Sequence, residues 1–290
     1  MQNKIFPATN DVVFKKIFGD INNKEIIKDF LSSILNIPEE EYDLLKIENP
    51  FLNVEDSTNE KLGILDVKLS TKNRKIIDIE IQVARMKYMR ERVLFYLSKM
   101  TLDQIGAGED YGKIQKVISI IIASDHILVK ENEKQHNRYL FCNQERDSIF
   151  SDKMEIDVLD LMKKTDLSKD NPNLAKWVNF FNAKTEKQLE EVHNMQNSAI
   201  KQATEIVMKV NQDDELRVKA EQRENAIRAY KSEIEGSRQE GIKQGIEQGI
   251  EQGKQSEKIE IAKSLLGSGM DINFIAKHTG LLIEEIEQLK

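Results

Sequence analysis

The sequence is poor in the residues that define several common classes of protein. It has one cysteine in 290 residues, Cys142, which excludes an internal disulfide framework and a cysteine-based zinc site. The longest apolar run, 117–123, has the length of a strand and falls well short of the roughly 20 residues that span a membrane. The N-terminus shows no apolar segment typical of a signal peptide. We therefore expect a cytoplasmic protein without membrane contact.

Basic residues are also fewer than acidic residues. Lys and Arg together number 43 and Asp and Glu number 50, which gives a formal net charge of −7 and accompanies a mean hydropathy of −0.52. This balance argues against a protein that coats nucleic acid through a uniformly basic surface. It leaves room for a local basic groove, because net charge averages over the whole chain. Hydrophobic residues make up 39% of the chain, enough for a core in part of it.

Composition changes near residue 185. The chain beyond this point has no proline and is rich in Glu, Lys, Gln and Ala, whereas all four prolines precede it. A stretch with so few apolar residues buries little core by itself. We predict three segments, namely a globular domain over 1–183, a helical extension over 184–258 and a small helical module over 259–290.

The first segment alternates between helical and strand patterns. A short helix is capped near Asn10 and ended by Gly19, and a second helix starts at Asn22 or Asn23. Further along, we predict strands over 62–71 and 75–83, a helix over 87–105, and strands over 114–124, 139–142 and 154–161. This order predicts an α/β fold with a mixed sheet flanked by helices. Cys142 lies in an apolar strand, so we expect an inert buried thiol.

The hairpin at 62–83 collects acidic side chains on one face. Because strand side chains alternate, Asp66 and Lys68 share a face of the first strand, and Asp78, Glu80 and Gln82 share one on the second. The polar turn between the strands sets the register. In that register Asp66 lies opposite Glu80, and Lys68 lies opposite Asp78.

Two carboxylates placed opposite each other, with Cβ atoms about 5 Å apart, destabilise a hairpin unless a positive group lies between them. A divalent cation fits, since carboxylate oxygens with few other ligands suit Mg²⁺ or Mn²⁺. The alternative is that this face is simply the solvated side of the hairpin, and a shift in register would separate Asp66 from Glu80. For Lys68 we favour a structural ion pair with Asp78 over a role in catalysis.

These residues resemble a known family. Asp66, followed by Glu80-Ile81-Gln82 on the next strand, resembles the motif of the PD-(D/E)XK nucleases, in the branch of recombination-promoting nucleases and transposases. The stretch from Asn10 to Phe18, the segment 90–96 and the Gly-x-x-x-Gly tail fit the same branch. The resemblance covers essentially the whole chain. It implies a restriction-endonuclease-like mixed sheet flanked by helices, followed by a long helical C-terminal extension.

The resemblance also implies a site and an activity. Asp66 and Glu80, with the backbone carbonyl of Ile81, would hold a divalent metal, Mg²⁺ or else Mn²⁺ or Ca²⁺. Gln82 would orient the attacking water, and Asp11 would be a further acid of the site. The implied function is a metal-dependent DNA endonuclease linked to DNA recombination or mobile-element activity.

Two residues depart from the family pattern. Leu65 stands where the family has proline, and Gln82 stands where it has lysine. Glutamine can orient a water but cannot neutralise transition-state charge as an ammonium does. An alternative therefore stays open, in which a catalytically inactive nuclease fold serves as a DNA-tethering or assembly module.

Positive charge is locally dense around the hairpin. Arg85, Arg92 and Lys99 recur at seven-residue spacing, so they share one face of the following helix, and Lys68 lies beside the acids. Such a cluster predicts contacts with DNA phosphates, and the alternative is an ordinary solvated helix face.

The tail has a four-residue repeat of glycine. Each glycine costs a helix about 1 kcal/mol relative to alanine, a loss that close packing against another backbone would offset. The stripe favours a homo-oligomer formed through the C-terminal helices, or docking onto the first domain, and the alternative is a flexible, partly helical linker. The glycines are Gly241, Gly245, Gly249 and Gly253.

Overall fold

The structure is a computed structural model that describes residues 5–48, 66–72, 75–83, 88–124, 134–163 and 167–289. These residues fall into two compact units, which run from Met1 to Arg228 and from Ala229 to Lys290. The helices are α1 Asp11–Phe18, α2 Lys24–Leu35, α3 Met89–Leu102, α4 Leu167–Asp170, α5 Pro172–Asn182, α6 Glu186–His193, α7 Ser198–Gln212, α8 Asp214–Gly267, α9 Ile272–Thr279 and α10 Ile283–Glu287. The strands are β1 Lys46–Glu48, β2 Val67–Ser70, β3 Ile76–Gln82, β4 Val117–Ala123, β5 His136–Cys142 and β6 Ile149–Asp160.

The strands form one mixed sheet in the order β1-β2-β3-β4-β6-β5. Strands β3, β4 and β6 run parallel, whereas β1 and β2 on one side and β5 on the other are antiparallel to their neighbours. All seven residues of β4 are buried, as a strand covered on both faces requires. The predicted α/β fold with a mixed sheet flanked by helices, followed by a long helical extension, is confirmed.

The hairpin register is the one that the polar turn predicted. Val67 lies opposite Ile79, and Lys68 lies opposite Asp78. Asp66 comes directly before the first paired residue of β2. The part of the predicted first strand before Asp66, and the tip of the turn at 73–74, lie outside the described residues.

One face of the sheet carries the main core. Helices α1, α2 and α5 bring Phe18, Phe30 and Trp177 together there, with ring centroids 5.3–6.0 Å apart. The buried Trp177 indole donates a hydrogen bond to Asp29 Oδ1 at 2.7 Å, which satisfies its only polar atom. Both ends of α1 follow the prediction, since the Asn10 side chain caps its start and Gly19 follows its last residue.

Helix α3 packs on the sheet through apolar residues at helical spacing. Its buried side chains Met89 and Val93 contact Ile121 and Val158, and Leu97 packs with Val117. This position places α3 over residues of β4 and β6 that alternate with those of the main core. The acids of β3 that point toward α3 are therefore covered as well.

The first compact unit continues past residue 183, where we had placed the end of the globular domain. Helices α6 and α7 carry apolar stripes, including Leu189, Ile200 and Val207, that are buried in the same core as α1 and α2. The first turns of α8 also belong to this unit, and Ala220 is fully buried there. The Asn10 side chain donates to the Ala220 carbonyl at 3.0 Å.

The prediction of a buried thiol at Cys142 is wrong, because this cysteine is exposed. Its strand, β5, is the edge strand of the sheet, and the apolar neighbours Tyr139 and Phe141 are exposed too. An apolar run predicts burial only when another element covers it, and the sequence of β5 does not reveal that it lies at an edge.

The second unit has a small core of its own, formed by Ala262, Ile275, Leu281 and Ile286. Gly280 ends α9 with φ +71°, a left-handed conformation that favours glycine. A Cβ added at any glycine of the tail repeat would meet no atom of the described residues within 4 Å. The predicted homo-oligomer therefore stays a prediction. No helix among the described residues is both long enough and apolar enough to cross a lipid bilayer.

Candidate active site

Asp66 and Ile81 meet where β2 begins to pair with β3. The backbone N–H of Ile81 donates to Asp66 Oδ2 at 3.0 Å. In an antiparallel pair the N–H and C=O of one residue point toward the same neighbouring strand. The carbonyl of Ile81 therefore faces the strand that carries Asp66. This arrangement brings together two of the three metal donors that the family resemblance implied.

Glu80, the third donor that the resemblance implied, is almost fully buried, with 4% of its surface exposed. Its Oε1 lies 3.8 Å from Arg92 Nη2, too far for a hydrogen bond, and has no hydrogen-bond partner in the part of the chain that the structure describes. Burial raises the pKa of Glu80 to about 7; Arg92 and Lys15 oppose the rise, and the charge of Asp66 adds to it. A cation bound beside Glu80 would lower this pKa, because it favours the ionised carboxylate.

Asp78 is a second buried acid on the same face of β3. Only 1% of it is exposed, and it accepts one hydrogen bond, from Ser119 Oγ at 3.3 Å. Burial, and then the charges of Glu80 and Asp66, raise its pKa well above the ordinary value. The charge of Asp66 thus opposes the ionisation of two buried acids, Glu80 and Asp78, on the same hairpin.

The predicted ion pair between Lys68 and Asp78 is not formed, although the two residues lie opposite each other. The Lys68 side chain instead lines a solvent-accessible cavity of about 700 Å³. Burying a lysine beside Asp78 would require desolvation of two charges, which costs more than the attraction returns unless further hydrogen bonds satisfy both.

Gln82 and Asp11 are the other two residues that we predicted to belong to the catalytic site. Gln82 lies two residues after Glu80 on the same face of β3 and is buried. Asp11 is the first residue of α1, and its Oδ2 forms an ion pair with Arg223 Nε at 2.7 Å. Its Oδ1 is buried and has no hydrogen-bond partner among the described residues.

Lys15 is a residue of the site that the sequence analysis missed. Its Nζ lies 3.3 Å from Asp66 Oδ1, and its charge also acts on Glu80. Lys15 follows Asp11 by one helical turn, so the two share a face of α1. That spacing was visible in the sequence, but no local pattern shows that this face of α1 meets the start of β2.

The residues that we predicted to bind DNA lie in different surroundings. Arg92 faces Glu80, and Lys99 pairs with Asp103 at 2.9 Å. Both cations of α3 therefore lie against acids of the protein itself. Lys68 faces a cavity, and Arg85 lies outside the described residues.

The donor set fits a magnesium-like ion. No group of three or more His, Cys, Asp or Glu side chains arranged to hold a metal occurs among the described residues. Mg²⁺, however, is commonly held by one or two carboxylates together with waters and substrate phosphates. Hard oxygen donors of this kind are supplied by Asp66, Glu80 and the Ile81 carbonyl. The buried Oε1 of Glu80 has no hydrogen-bond partner among the described residues, so it could bind a metal ion.

Comparison with known proteins identifies the family. A family model described as PD-(D/E)XK nuclease family transposase matches residues 8–237, a range that includes α1, the acidic hairpin and α3. No curated protein and no solved structure matches the chain. Since the matched range covers most of the 290 residues and every candidate site residue, the chain belongs to the PD-(D/E)XK nuclease family transposases.

Proposed function

We propose that the protein is a metal-dependent DNA endonuclease that hydrolyses phosphodiester bonds in DNA recombination or mobile-element activity. The observation that carries the proposal is the buried Glu80, whose Oε1 has no hydrogen-bond partner among the described residues and whose pKa is raised to about 7 by burial, with the charge of Asp66 adding to the rise. Perturbed acids of this kind are concentrated at catalytic sites. We include a cytoplasmic location in the proposal, because a DNA substrate is met inside the cell.

In this proposal Asp66, Glu80 and the Ile81 carbonyl hold Mg²⁺, with Mn²⁺ or Ca²⁺ as substitutes. A bound metal of this type polarises a phosphoryl oxygen and lowers the pKa of a bound water. Gln82, on the same face as Glu80, would orient an attacking water through its amide. Asp11 and its partner Arg223 fix the start of α1 relative to the site.

Lys15 supplies the positive charge that Gln82 cannot. Its side chain is 45% exposed, so it is open to substrate, and its Nζ lies 3.3 Å from Asp66 Oδ1. A preorganised cation at this position stabilises the charge that develops on the transferred phosphoryl group. The ammonium of the family motif would then come from helix α1 instead of strand β3.

A nicking assay tests the proposal. Supercoiled plasmid is incubated with the protein and Mg²⁺ or Mn²⁺, and we expect nicked circles from the wild type but not from Asp66→Ala. Asp152→Ala, which removes an exposed acid on β6, is the matched control and should leave the rate unchanged. Equal cleavage by the wild type and Asp66→Ala would reject the assignment of the site.

One observation favours the alternative of an inactive nuclease fold that tethers DNA or assembles chains. Asp11 and Asp66 are both already paired with cations of the protein, Arg223 and Lys15. In that case the protein would bind the plasmid DNA, but neither metal would lead to nicked circles.

A further inference from the structure

Two cavities beside the candidate site are rich in lysine. The first, of about 900 Å³, lies along α1 and includes Lys15, Lys16 and Lys219 in its lining. The second, of about 700 Å³, lies beside β2 and includes Lys68 and Lys72. Lys46, on the edge strand β1, lines both cavities, so the two are neighbours across that strand.

Most of these lysines carry uncompensated charge. Lys15 pairs with Asp66, and Lys113 in the second cavity pairs with Glu109. No ion pair within the described ranges involves the remaining five, which we call the lysine surface. The lysine surface consists of Lys16, Lys46, Lys68, Lys72 and Lys219.

The acids that line the two cavities cancel only part of this charge, because the five lysines face two acids, Asp20 and Glu48, that have no ion pair among the described residues. Asp20 accepts hydrogen bonds from Asn22, and Glu48 accepts one from the Ser70 hydroxyl. Glu109 is held by Lys113 and by the N–H of Gly106. A protein with net charge −7 therefore carries a positive surface next to its acidic site. Such a concentration of one sign is a place where a polyanion binds.

The lysine surface adjoins the candidate active site on both sides. Lys16 follows Lys15, whose Nζ contacts Asp66 at 3.3 Å. Lys68 lies two residues after Asp66 on β2. A polyanion bound across β1 would thus pass the residues that we propose to hold the metal.

We propose that the lysine surface binds the phosphate backbone of duplex DNA without regard to sequence. This inference rests on the proposed nuclease function, which supplies DNA as the substrate. Among the described residues that line them, neither cavity has an aromatic side chain, so these residues offer single-stranded bases no platform on which to stack. The described lining residues also include no arginine, the side chain that most often reads guanine through two hydrogen bonds. Lysine contacts phosphate as a point charge.

A rival explanation is that lysine on an edge strand prevents strands of different molecules from pairing. It accounts for Lys46 alone, because the other four lysines come from α1, from β2 and the residues after it, and from α8. Their convergence on two adjoining cavities needs a different reason.

Salt dependence of binding measures the contribution of these lysines. Each phosphate neutralised on duplex DNA contributes about −0.9 to the slope of log K against log salt, so five contacts give about −4.5. The experiment follows a fluorescent 30-base-pair duplex by anisotropy, with the full chain in EDTA so that no metal-dependent cleavage occurs. The test variant replaces three exposed lysines, one from each cavity and the one they share, by Lys16→Gln, Lys46→Gln and Lys72→Gln.

We expect the triple variant to lose about 2.7 from the magnitude of the slope, because each lost contact removes about 0.9. At 0.1 M salt, a slope smaller by about 2.7 lowers the association constant of the triple variant by up to about 500-fold relative to the wild type. The control variant removes three exposed lysines of the same unit that line neither cavity, so its net charge matches. It carries Lys184→Gln, Lys201→Gln and Lys209→Gln and should bind like the wild type.

An equal slope for the two triple variants would overturn the proposal, even if the protein cleaves DNA with Mg²⁺. A lower slope for the test variant alone would support it, even if no metal supports cleavage. Tighter binding of an RNA duplex of the same length through the same lysines would overturn the assignment to DNA. The outcome for this surface is thus separate from the outcome for the nuclease activity.

Discussion

Replacement of Glu80 by glutamine should change how the stability of the protein depends on pH. The Glu80 carboxyl is buried, and its pKa rises from an ordinary 4.5 to about 7, first because of burial. The folded state therefore holds the proton more tightly than the unfolded state. Its contribution to the free energy of unfolding is fully present below about pH 4.5 and is lost as the pH rises through about 7.

The size of this effect follows from the shift. A displacement of about 2.5 pKa units, at about 1.36 kcal/mol each, corresponds to a loss of about 3 kcal/mol between pH 4.5 and pH 8.5. Glu80→Gln keeps the shape of the side chain and removes its charge, so this part of the pH dependence should disappear. The variant should also ease the ionisation of Asp78, whose pKa Glu80 helps to raise.

Urea unfolding, followed by the fluorescence of the single tryptophan, measures this change. Trp177 is fully buried in the core of the first unit, so its emission reports the unfolding of the site. In EDTA, the unfolding free energy of the wild type should fall by about 3 kcal/mol more than that of Glu80→Gln between pH 4.5 and pH 8.5. Glu190→Gln, which changes an exposed glutamate on α6, should follow the wild type.

Magnesium provides the second arm of the same experiment. At pH 8.5, Mg²⁺ at ten times its dissociation constant should stabilise the wild type by about 1.4 kcal/mol. It should leave Glu80→Gln almost unchanged, because one of its two carboxylate donors is gone. Parallel pH profiles for the wild type and the variant, or equal stabilisation by Mg²⁺, would refute the assignment of Glu80 as a strained metal ligand.

Two further predictions concern α1 and the tail. Lys15→Ala should lower kcat for plasmid nicking by about 100-fold, whereas Lys15→Arg should recover part of it, because the charge near Asp66 stabilises the transition state. Lys16→Ala should raise KM with little change in kcat. An unchanged kcat for Lys15→Ala would refute the role of Lys15 in stabilising the transition state. In the tail, an isoleucine that is about half exposed follows each of three glycines. Changing these three isoleucines to glutamine should lower the molecular mass of the protein measured by light scattering. The helical signal in circular dichroism should stay constant. A wild-type mass of one chain would contradict self-association through these residues, which are Ile242, Ile246 and Ile250.

The hairpin was predictable because two local rules specify it. Side chains alternate along a strand, and a polar turn fixes which residues face each other, so the pairing of Lys68 with Asp78 followed from the sequence. The caps of α1 followed from equally local chemistry at Asn10 and Gly19. These features need no knowledge of distant parts of the chain.

Other parts of the site depend on elements that are far apart in the sequence. Lys15 and Asp66 are joined only by the packing of α1 beside β2. Arg92 and Lys99 both lie against carboxylates of the protein, Arg92 because α3 covers Glu80 of β3 and Lys99 because Asp103 follows it by one turn at the end of the same helix. A spacing pattern shows which residues share a face and does not show what that face meets.

By itself, then, the sequence determined the α/β order and the register of the acidic hairpin, because local propensity, alternation and a polar turn suffice for both. The family followed from the resemblance of the motif formed by Asp66 and Glu80-Ile81-Gln82. The tertiary structure decided which cations neutralise which acids, how far the first unit extends and where free lysines gather. Burial controls the energy of a charge, and burial is a property of the packed molecule. For that reason a chain with little positive charge overall still presents the lysine surface beside its acidic site.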